Sequence, residues 1–285
     1  MRLRSLLFVP GDRPDRMEKA LGAGADALIL DLEDAVIPGR KNEARQAVAV
    51  FLERPRAMPV FVRINPLATD LADQDLSAVA SRRPEGIVLP KAEGGASVIE
   101  LNRRLAALGN MDARLLPIAT ETPAGIFALG SFREAGKRLC GLTWGAEDLP
   151  AAIGAATSRE PDGRYTPPYE VVRALALFGA HAAGVPALET VYPALDDKEG
   201  LAAYAARGRR DGFSGMLALH PAQIPVINRA FTPSGEELDW AHRVVAAFRS
   251  GDGGGALRLD GRMIDAPHLK LAQRLLASAG EDGKP

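Results

Sequence analysis

The sequence has little cysteine, little histidine and no long hydrophobic run. Cys140 is the only cysteine among 285 residues, which excludes an intrachain disulfide and a cysteine-based metal cluster. We therefore expect a cytoplasmic protein. The apolar runs are too short to span a bilayer. A formal net charge of −1 argues against a nucleic-acid groove and against binding to an anionic membrane surface.

Short β-rich segments recur along the chain with helical stretches between them. Several of these segments are continuous apolar runs, as in parallel strands that are covered on both faces. Eight such units favour an α/β fold of the (β/α)8 TIM barrel type over a doubly wound open sheet, which more often has about five or six strands. The predicted strands are 4–10, 27–34, 59–65, 86–92, 114–121, 141–148, 186–193 and 215–221.

The pattern changes after Pro221. A helix is predicted over 234–248, and the glycine-rich segment 250–255 is typical of a hinge. Asp260-Gly261 is a tight-turn signal between two short strand-like arms, and a last helix is predicted over 267–279. We therefore predict a TIM barrel with the metal site over 1–249. A C-terminal helical and hairpin extension, serving as a lid or in oligomerisation, is predicted over 250–285.

Ionisable residues gather at the carboxyl ends of the predicted strands, where (β/α)8 barrels place their chemistry. The stretch ALILDLEDAV shows the pattern, because an apolar run ends in three carboxylates that need cationic partners. The amino-terminal halves of the strands carry almost nothing ionisable. The strand-end polar residues are Asp31, Glu33, Asp34, Arg63, Asn65, Lys91, Glu121, Glu147, Asp148, Glu189 and His220.

Two of these acids, Glu121 and Asp148, follow neighbouring predicted strands. Acids held close together repel unless a divalent cation lies between them, and Mg²⁺ prefers carboxylates, water and substrate oxygens. The scarcity of histidine and cysteine argues against zinc. A strand-end acid can also be a helix cap or an arginine partner, and Asp31 could be paired with Arg4 or Lys91 as structural support.

Seven motifs in order resemble those of the citrate lyase beta-subunit-like family, which belongs to the Mg²⁺-dependent aldolase and lyase barrels that include malyl-CoA and citramalyl-CoA lyases. The resemblance runs from about Arg4 to Ala277. Each motif is weak alone, but the ordered set is highly specific. The motifs are RSLLFVPGDRPDRMEKA, ADALILDLEDAV, FVRIN, VLPKAE, IATETPAGI, WGAEDL and GRMIDAPHLKLAQ.

The resemblance implies a homotrimeric barrel that makes or breaks a C–C bond between an acetyl-type thioester, on CoA or an acyl carrier, and a 2-oxo acid. It implies that Glu121 and Asp148 hold Mg²⁺ and that Arg63 binds substrate. Asp265 would be the acid/base, reaching the site from the lid of a neighbouring subunit. Met216 and Glu189 stand where many relatives carry lysine and aspartate.

The resulting hypothesis is retro-Claisen cleavage of a citryl-, malyl- or citramalyl-type thioester, with Arg63 stabilising the enolate. Backbone N–H groups in the turn of Gly145, Ala146, Glu147 and Asp148 could bind the substrate carboxylate. The supporting residues expected around the metal are Asp31, Glu33, Asp34 and Lys91. A pyruvate-type aldolase acting on free hydroxy-oxo acids and a non-catalytic metabolite-binding subunit are the alternatives.

Overall fold

The computed structural model of the chain describes residues 1–250 and 255–281. Residues 251–254 of the predicted hinge lie outside the described residues. The strands are β1 (Ser5–Pro10), β2 (Ala27–Asp31), β3 (Val60–Arg63), β4 (Gly86–Leu89), β5 (Arg114–Pro117), β6 (Leu142–Thr143), β7 (Ala187–Glu189), β8 (Gly215–Ala218), β9 (Ala256–Leu259) and β10 (Arg262–Asp265).

Helices separate strands β1 to β8 from one another and β8 from β9, as the hydrophobic pattern predicted. The α-helices are α1 (Pro14–Ala20), α2 (Lys41–Leu52), α3 (Asp70–Val79), α4 (Gly95–Ala107), α5 (Pro123–Phe127), α6 (Leu149–Ile153), α7 (Pro167–Ala182), α8 (Lys198–Asp211), α9 (Ile224–Ala230), α10 (Gly235–Ser250) and α11 (Ala266–Ala279). No helix among the described residues is long and apolar enough to cross a membrane.

Strands β1 to β8 form one parallel sheet in the order β5-β4-β3-β2-β1-β8-β7-β6. The two ends of this order meet through isolated parallel bridges, Leu115 with Leu139 and Ile118 with Thr143. Three backbone hydrogen bonds of 2.8 to 3.0 Å, one of them from Ala119 N–H to Thr143 O, join the same edges. The sheet is therefore a nearly closed barrel, which confirms the predicted (β/α)8 fold.

The barrel interior is filled by apolar side chains that alternate along the strands. Ile29 of β2 and Phe61 of β3 belong to this core, and both are fully buried. Side chains two residues apart share a face of a strand, so Asp31 and Arg63 project from the same face one layer higher. The alternation thus sets charged side chains on top of an apolar core at the carboxyl end of the barrel.

The chain divides into two compact units, and the division lies between Asn228 and Arg229, apart from Arg2, which groups with the second unit. Helix α10 therefore belongs to the C-terminal unit, whereas the predicted division placed its residues with the barrel. The C-terminal unit has its own apolar cluster, which includes Val244 of α10, Ile264 of β10 and Leu276 of α11. The roles of the two predicted domains stay predictions.

The predicted hairpin of the C-terminal unit is confirmed. Strands β9 and β10 pair antiparallel, with Leu259 opposite Arg262. The two residues between them, Asp260 and Gly261, have φ of 50° and 78°. Positive φ at both central positions is the geometry of a two-residue type I′ hairpin turn, which favours Asp-Gly.

Candidate active site

Asp31 and Arg63 form the first charged pair at the mouth of the barrel. They are direct partners in the β2–β3 register. The guanidinium of Arg63 donates to both carboxylate oxygens of Asp31, from Nε at 2.7 Å and from Nη2 at 2.6 Å. Backbone N–H groups of Glu33 and Ala35 also donate to Asp31. The expectation that Arg4 or Lys91 would pair with Asp31 is wrong, because register places Arg63 beside it.

Glu33 lies between two cations. Its oxygens are 2.9 Å from Arg63 Nη1 and 2.8 Å from Lys91 Nζ, and its side chain is 4% exposed. Burial raises the pKa of Glu33, although Arg63 and Lys91 act in the opposite direction. Asp34 is more distant, 3.8 Å from Arg63 Nη1, and its side chain is exposed.

Burial disfavours the charge of Lys91, but its hydrogen bond to Glu33 and the acids around it raise its pKa to about 12. Lys91 also adopts φ of 48°, the left-handed region that residues with a Cβ rarely occupy. This conformation accompanies a backbone hydrogen bond of 2.5 Å from Lys91 N–H to Glu121 Oε2. The Nζ of Lys91 lies 3.8 Å from Asp148 Oδ2. Lys91 therefore connects the Glu33 side of the mouth with the Glu121 side.

Glu121 is a buried acid, 5% exposed, at the end of the segment that continues β5. Burial raises its pKa to about 8, and a hydrogen bond with Asp148 acts in the same direction. No Lys or Arg ion pair reaches Glu121 within the described residues. Two adjacent acids, one of them buried and without an ion-pair partner among the described residues, fit the requirements of a hard divalent ion.

Gly145 leaves room for the Glu121 side chain. A Cβ at this position would lie 2.6 Å from Glu121 Cγ. Thr120 holds the same point of the chain, because its hydroxyl donates to Gly145 O at 3.0 Å and accepts from Gly145 N–H at 3.1 Å. The Glu121 carboxylate is thus fitted against a glycine backbone that leads directly to Asp148.

Mg²⁺ rarely takes all its ligands from protein, since it keeps several waters and binds one or two carboxylates together with substrate oxygens. Among the described residues, no group of three or more His, Cys, Asp or Glu side chains is arranged to hold a metal. A two-carboxylate site matches the habit of Mg²⁺ and does not match the closed four-ligand sites of structural zinc. The donor set therefore fits Mg²⁺.

The turn of residues 145–148 differs in part from the expected carboxylate-binding loop. The N–H of Gly145 is already used by Thr120, so the remaining candidate donors are those of Ala146, Glu147 and Asp148. Ala146 is buried and Glu147 is exposed. The role of this turn in substrate binding stays a prediction.

Three other strand-end residues have structural partners. Asn65 is buried and donates to Leu32 O and to Asp75. His220 accepts from the N–H of Ala222 at 3.2 Å and caps a short helical turn. Glu189 is fully buried among hydrogen-bond donors and is not an open acid of the mouth. Strand-end position alone did not separate these supporting residues from candidate ligands.

Asp265 ends strand β10 and caps helix α11 in the C-terminal unit. Its Oδ1 is 2.6 Å from His268 Nδ1, and both side chains are partly exposed, 35% and 42% respectively. His268 lies three residues after Asp265 in the sequence. The structure shows that the candidate acid/base has an imidazole partner within its own unit.

Thr120 is the site residue that sequence reasoning missed. Its signal was present, because it directly precedes Glu121 in the motif IATETPAGI. Its function could not be read there, since the hydroxyl bonds to Gly145, which lies on the strand segment across the β5–β6 edge.

A parallel barrel whose carboxyl-end mouth gathers paired acids, an arginine and a lysine is the architecture of a barrel enzyme. Residues 4–221 match the HpcH/HpaI aldolase/citrate lyase family. The chain is 41% identical over 276 residues to a citrate lyase subunit beta-like protein of Mycobacterium tuberculosis, covering 96% of this chain and 95% of that protein. The chain belongs to the HpcH/HpaI aldolase/citrate lyase family and is, with that family, a carbon–carbon lyase.

Other relatives agree with this membership. A (3S)-malyl-CoA thioesterase of Cereibacter sphaeroides is 34% identical over 285 residues, covering 97% of this chain and 94% of that protein. The protein CitE of Mycobacterium tuberculosis, solved with magnesium, acetoacetate and coenzyme A, superposes with a TM-score of 0.82. It is 38% identical and covers 98% of this chain and 99% of its own.

Proposed function

We propose that this protein is a Mg²⁺-dependent lyase that cleaves a 3-hydroxy-3-carboxyacyl thioester to an acetyl-type thioester and a 2-oxo acid. The acyl group is of the citryl, malyl or citramalyl type, on CoA or an acyl carrier. The relatives solved with magnesium and coenzyme A, or with magnesium and oxaloacetate, support this substrate class. A homotrimeric assembly and a cytoplasmic location are part of the same proposal.

The observation that carries the proposal is the difference in charge around the mouth. Arg63 and Lys91 neutralise Asp31 and Glu33. Glu121 is buried beside Asp148 with no ion-pair partner among the described residues, and its pKa is raised to about 8. Glu121 and Asp148 are therefore the residues that would hold Mg²⁺. Bound there, the ion would withdraw electrons from the hydroxyl and carboxylate oxygens of the substrate.

The chain's own residues supply the remaining chemistry. Asp265, reaching the site from a neighbouring copy of this chain, accepts the hydroxyl proton, the C–C bond breaks, and its electron pair forms a thioester enolate. Arg63 stabilises the negative oxygen of this enolate, and Asp265 returns the proton to the enolate carbon. Arg63 is preorganised for that role, because two hydrogen bonds to the Asp31 carboxylate fix the orientation of its guanidinium plane. The side chain of Arg63 remains 12% exposed.

Glu121→Gln and Asp148→Asn test the proposal on the purified full chain. Each variant removes one carboxylate oxygen ligand while keeping side-chain size. We expect calorimetric Mg²⁺ affinity and thioester cleavage to fall by more than about 100-fold, the upper range for loss of a residue that merely supports a ligand. Cleavage is followed as 2-oxo acid released from citryl-CoA, malyl-CoA and citramalyl-CoA.

Asp26→Asn is the matched control. It makes the same change of charge at the amino end of β2, where Asp26 pairs with Arg4. Near-normal cleavage by the double variant that combines Glu121→Gln with Asp148→Asn would refute the metal assignment. If the unaltered protein turned over free hydroxy-oxo acids but not thioesters, the pyruvate-type aldolase would be favoured. If the unaltered protein bound Mg²⁺ but turned over neither kind of substrate, a non-catalytic subunit would be favoured.

A further inference from the structure

Glu189 of β7 is a fully buried carboxylate with an unusually complete set of donors. Its Oε1 accepts from the indole of Trp144 at 2.6 Å and from the hydroxyl of Tyr204 at 2.7 Å. The backbone N–H of Thr190 donates to the same oxygen at 3.1 Å. Its Oε2 accepts from Arg173 Nε at 2.8 Å. One acid thus joins strand β7, helices α7 and α8, and the end of β6.

This arrangement is expected to add little to the free energy of unfolding, because burying two charges costs desolvation free energy. Arg173 and Glu189 are both almost completely buried, and replacement of such a pair by apolar residues is often neutral or stabilising. What a buried network of this kind supplies is fixed geometry, because every donor and acceptor must be in place at once. Of the residues in this network, Trp144 is the one nearest to the mouth, and the network fixes its position.

Trp144 directly precedes Gly145, the glycine against which Glu121 is fitted. The end of β6 is therefore held from both sides. Thr120 bonds to Gly145 from the β5 side, and Glu189 holds Trp144 from the β7 side. Strand β6 itself comprises two residues, so these side-chain bonds supply much of what fixes the path toward Asp148.

We propose that Glu189, through its hydrogen bond with Trp144, is a positioning residue for the Gly145–Asp148 turn and so for the cation site; this rests on the proposed function. Glu189 does not touch the ion or the substrate. It determines where the Asp148 carboxylate lies relative to Glu121.

Trp144→Phe tests the inference with the least disturbance. It removes the indole N–H and keeps an aromatic ring against Tyr165, whose centroid lies 5.2 Å away. Mg²⁺ alone is titrated into the full chain and binding is followed by calorimetry. We expect affinity to fall by about 10-fold, as for loss of partners that orient metal ligands. Glu189→Gln, which also removes the carboxylate that accepts from Arg173 Nε while Asp211 stays paired with Arg173 Nη1, is expected to reduce affinity at least as much.

Tyr204→Phe is the matched control, because it removes a hydrogen bond to the same Glu189 oxygen from helix α8. It should lower the melting temperature while changing Mg²⁺ affinity by less than about twofold. Unchanged affinity in Trp144→Phe, or equal losses in Trp144→Phe and Tyr204→Phe, would overturn the inference while leaving the proposed function intact. Failure of the unaltered protein to bind Mg²⁺ would instead remove the proposed function and this inference with it.

Discussion

Two pairs of acids lie at the mouth of the barrel and differ in how their charge is balanced. Asp31 ends β2, Glu33 follows it, and the two acids are paired with Arg63 and Lys91. Glu121 and Asp148 follow β5 and β6, and the nearest cation is Lys91 Nζ at 3.8 Å from Asp148. The first pair is balanced by cations of the chain, whereas Glu121 in the second pair has no ion-pair partner among the described residues, and our proposal places Mg²⁺ there.

The comparison separates two uses of the same residue type at the same edge of a sheet. Asp31 and Glu33 serve to fix the direction of Arg63, since a guanidinium bound bidentately by a carboxylate cannot turn freely. Glu121 is placed where an unpaired carboxylate is costly, so that binding of a dication becomes favourable. All of these acids lie at strand ends. What distinguishes Asp31 and Glu33 from Glu121 is that each of the first two has a cationic side chain as its ion-pair partner.

The largest expected effect is that of Arg63→Met on the first pair. It leaves Asp31 buried without its cation and removes one of two partners from Glu33. Breaking a buried ion pair on one side costs about 3–5 kcal/mol. We expect a loss of that size in the free energy of unfolding, measured by urea titration without divalent cations. A loss below about 1 kcal/mol would show that Asp31 is satisfied by backbone donors alone.

The second prediction concerns the second pair and pH. The folded-state pKa of Glu121 is raised from 4.5 to about 8, so the folded chain binds one more proton than the unfolded chain between these values. Stability of the metal-free protein should therefore fall as pH rises through this window, by a few kcal/mol at about 1.4 kcal/mol per pKa unit. Unfolding measured at pH 5, 6, 7 and 8 in a chelator checks the slope.

Glu121→Gln is the control for that slope, because its amide does not titrate. The variant should show a flatter dependence on pH and should equal or exceed the unaltered protein in stability at pH 8 without metal. An identical slope in both proteins would assign the pH dependence to another group. If Glu121→Gln were less stable than the unaltered protein at pH 8, it would share the sign of the Arg63→Met effect, and the comparison would fail.

The smallest expected effect concerns Lys91, which contacts both pairs. Lys91→Ala and Lys91→Gly remove the same ammonium and keep the backbone N–H that donates to Glu121. Glycine adopts φ of 48° without the steric cost that a Cβ imposes, which is about 1 kcal/mol. Lys91→Gly should therefore be more stable than Lys91→Ala by about that amount. Equal melting temperatures would show that the site imposes no backbone strain at this residue.

The fold could be predicted because its signals are local. Eight apolar runs separated by helical stretches gave eight strands, and Asp260-Gly261 gave the hairpin turn. Strand ends were less accurate, since the run 141–148 forms two strand residues before it becomes the turn that approaches Glu121.

The gathering of these charged residues at the mouth could be predicted, and their ion pairing could not. Strand-end position brought Asp31, Glu33, Arg63 and Lys91 together as expected. Which acid meets which cation depends on strand register, and a parallel register is set by packing across the whole barrel and not by residues near Asp31. Support from distant segments, such as Thr120 to Gly145, was invisible for the same reason.

The closure of the barrel between β5 and β6 has a mechanical consequence. These edges meet through isolated bridges, while β1 and β2 share a five-residue register. Glu121 and Asp148 stand on opposite sides of this thin seam. An ion bound by both carboxylates would act as a cross-link between β5 and β6, where the strands share the fewest backbone hydrogen bonds. Amide hydrogen exchange along these two strands should therefore become slower as the site is filled.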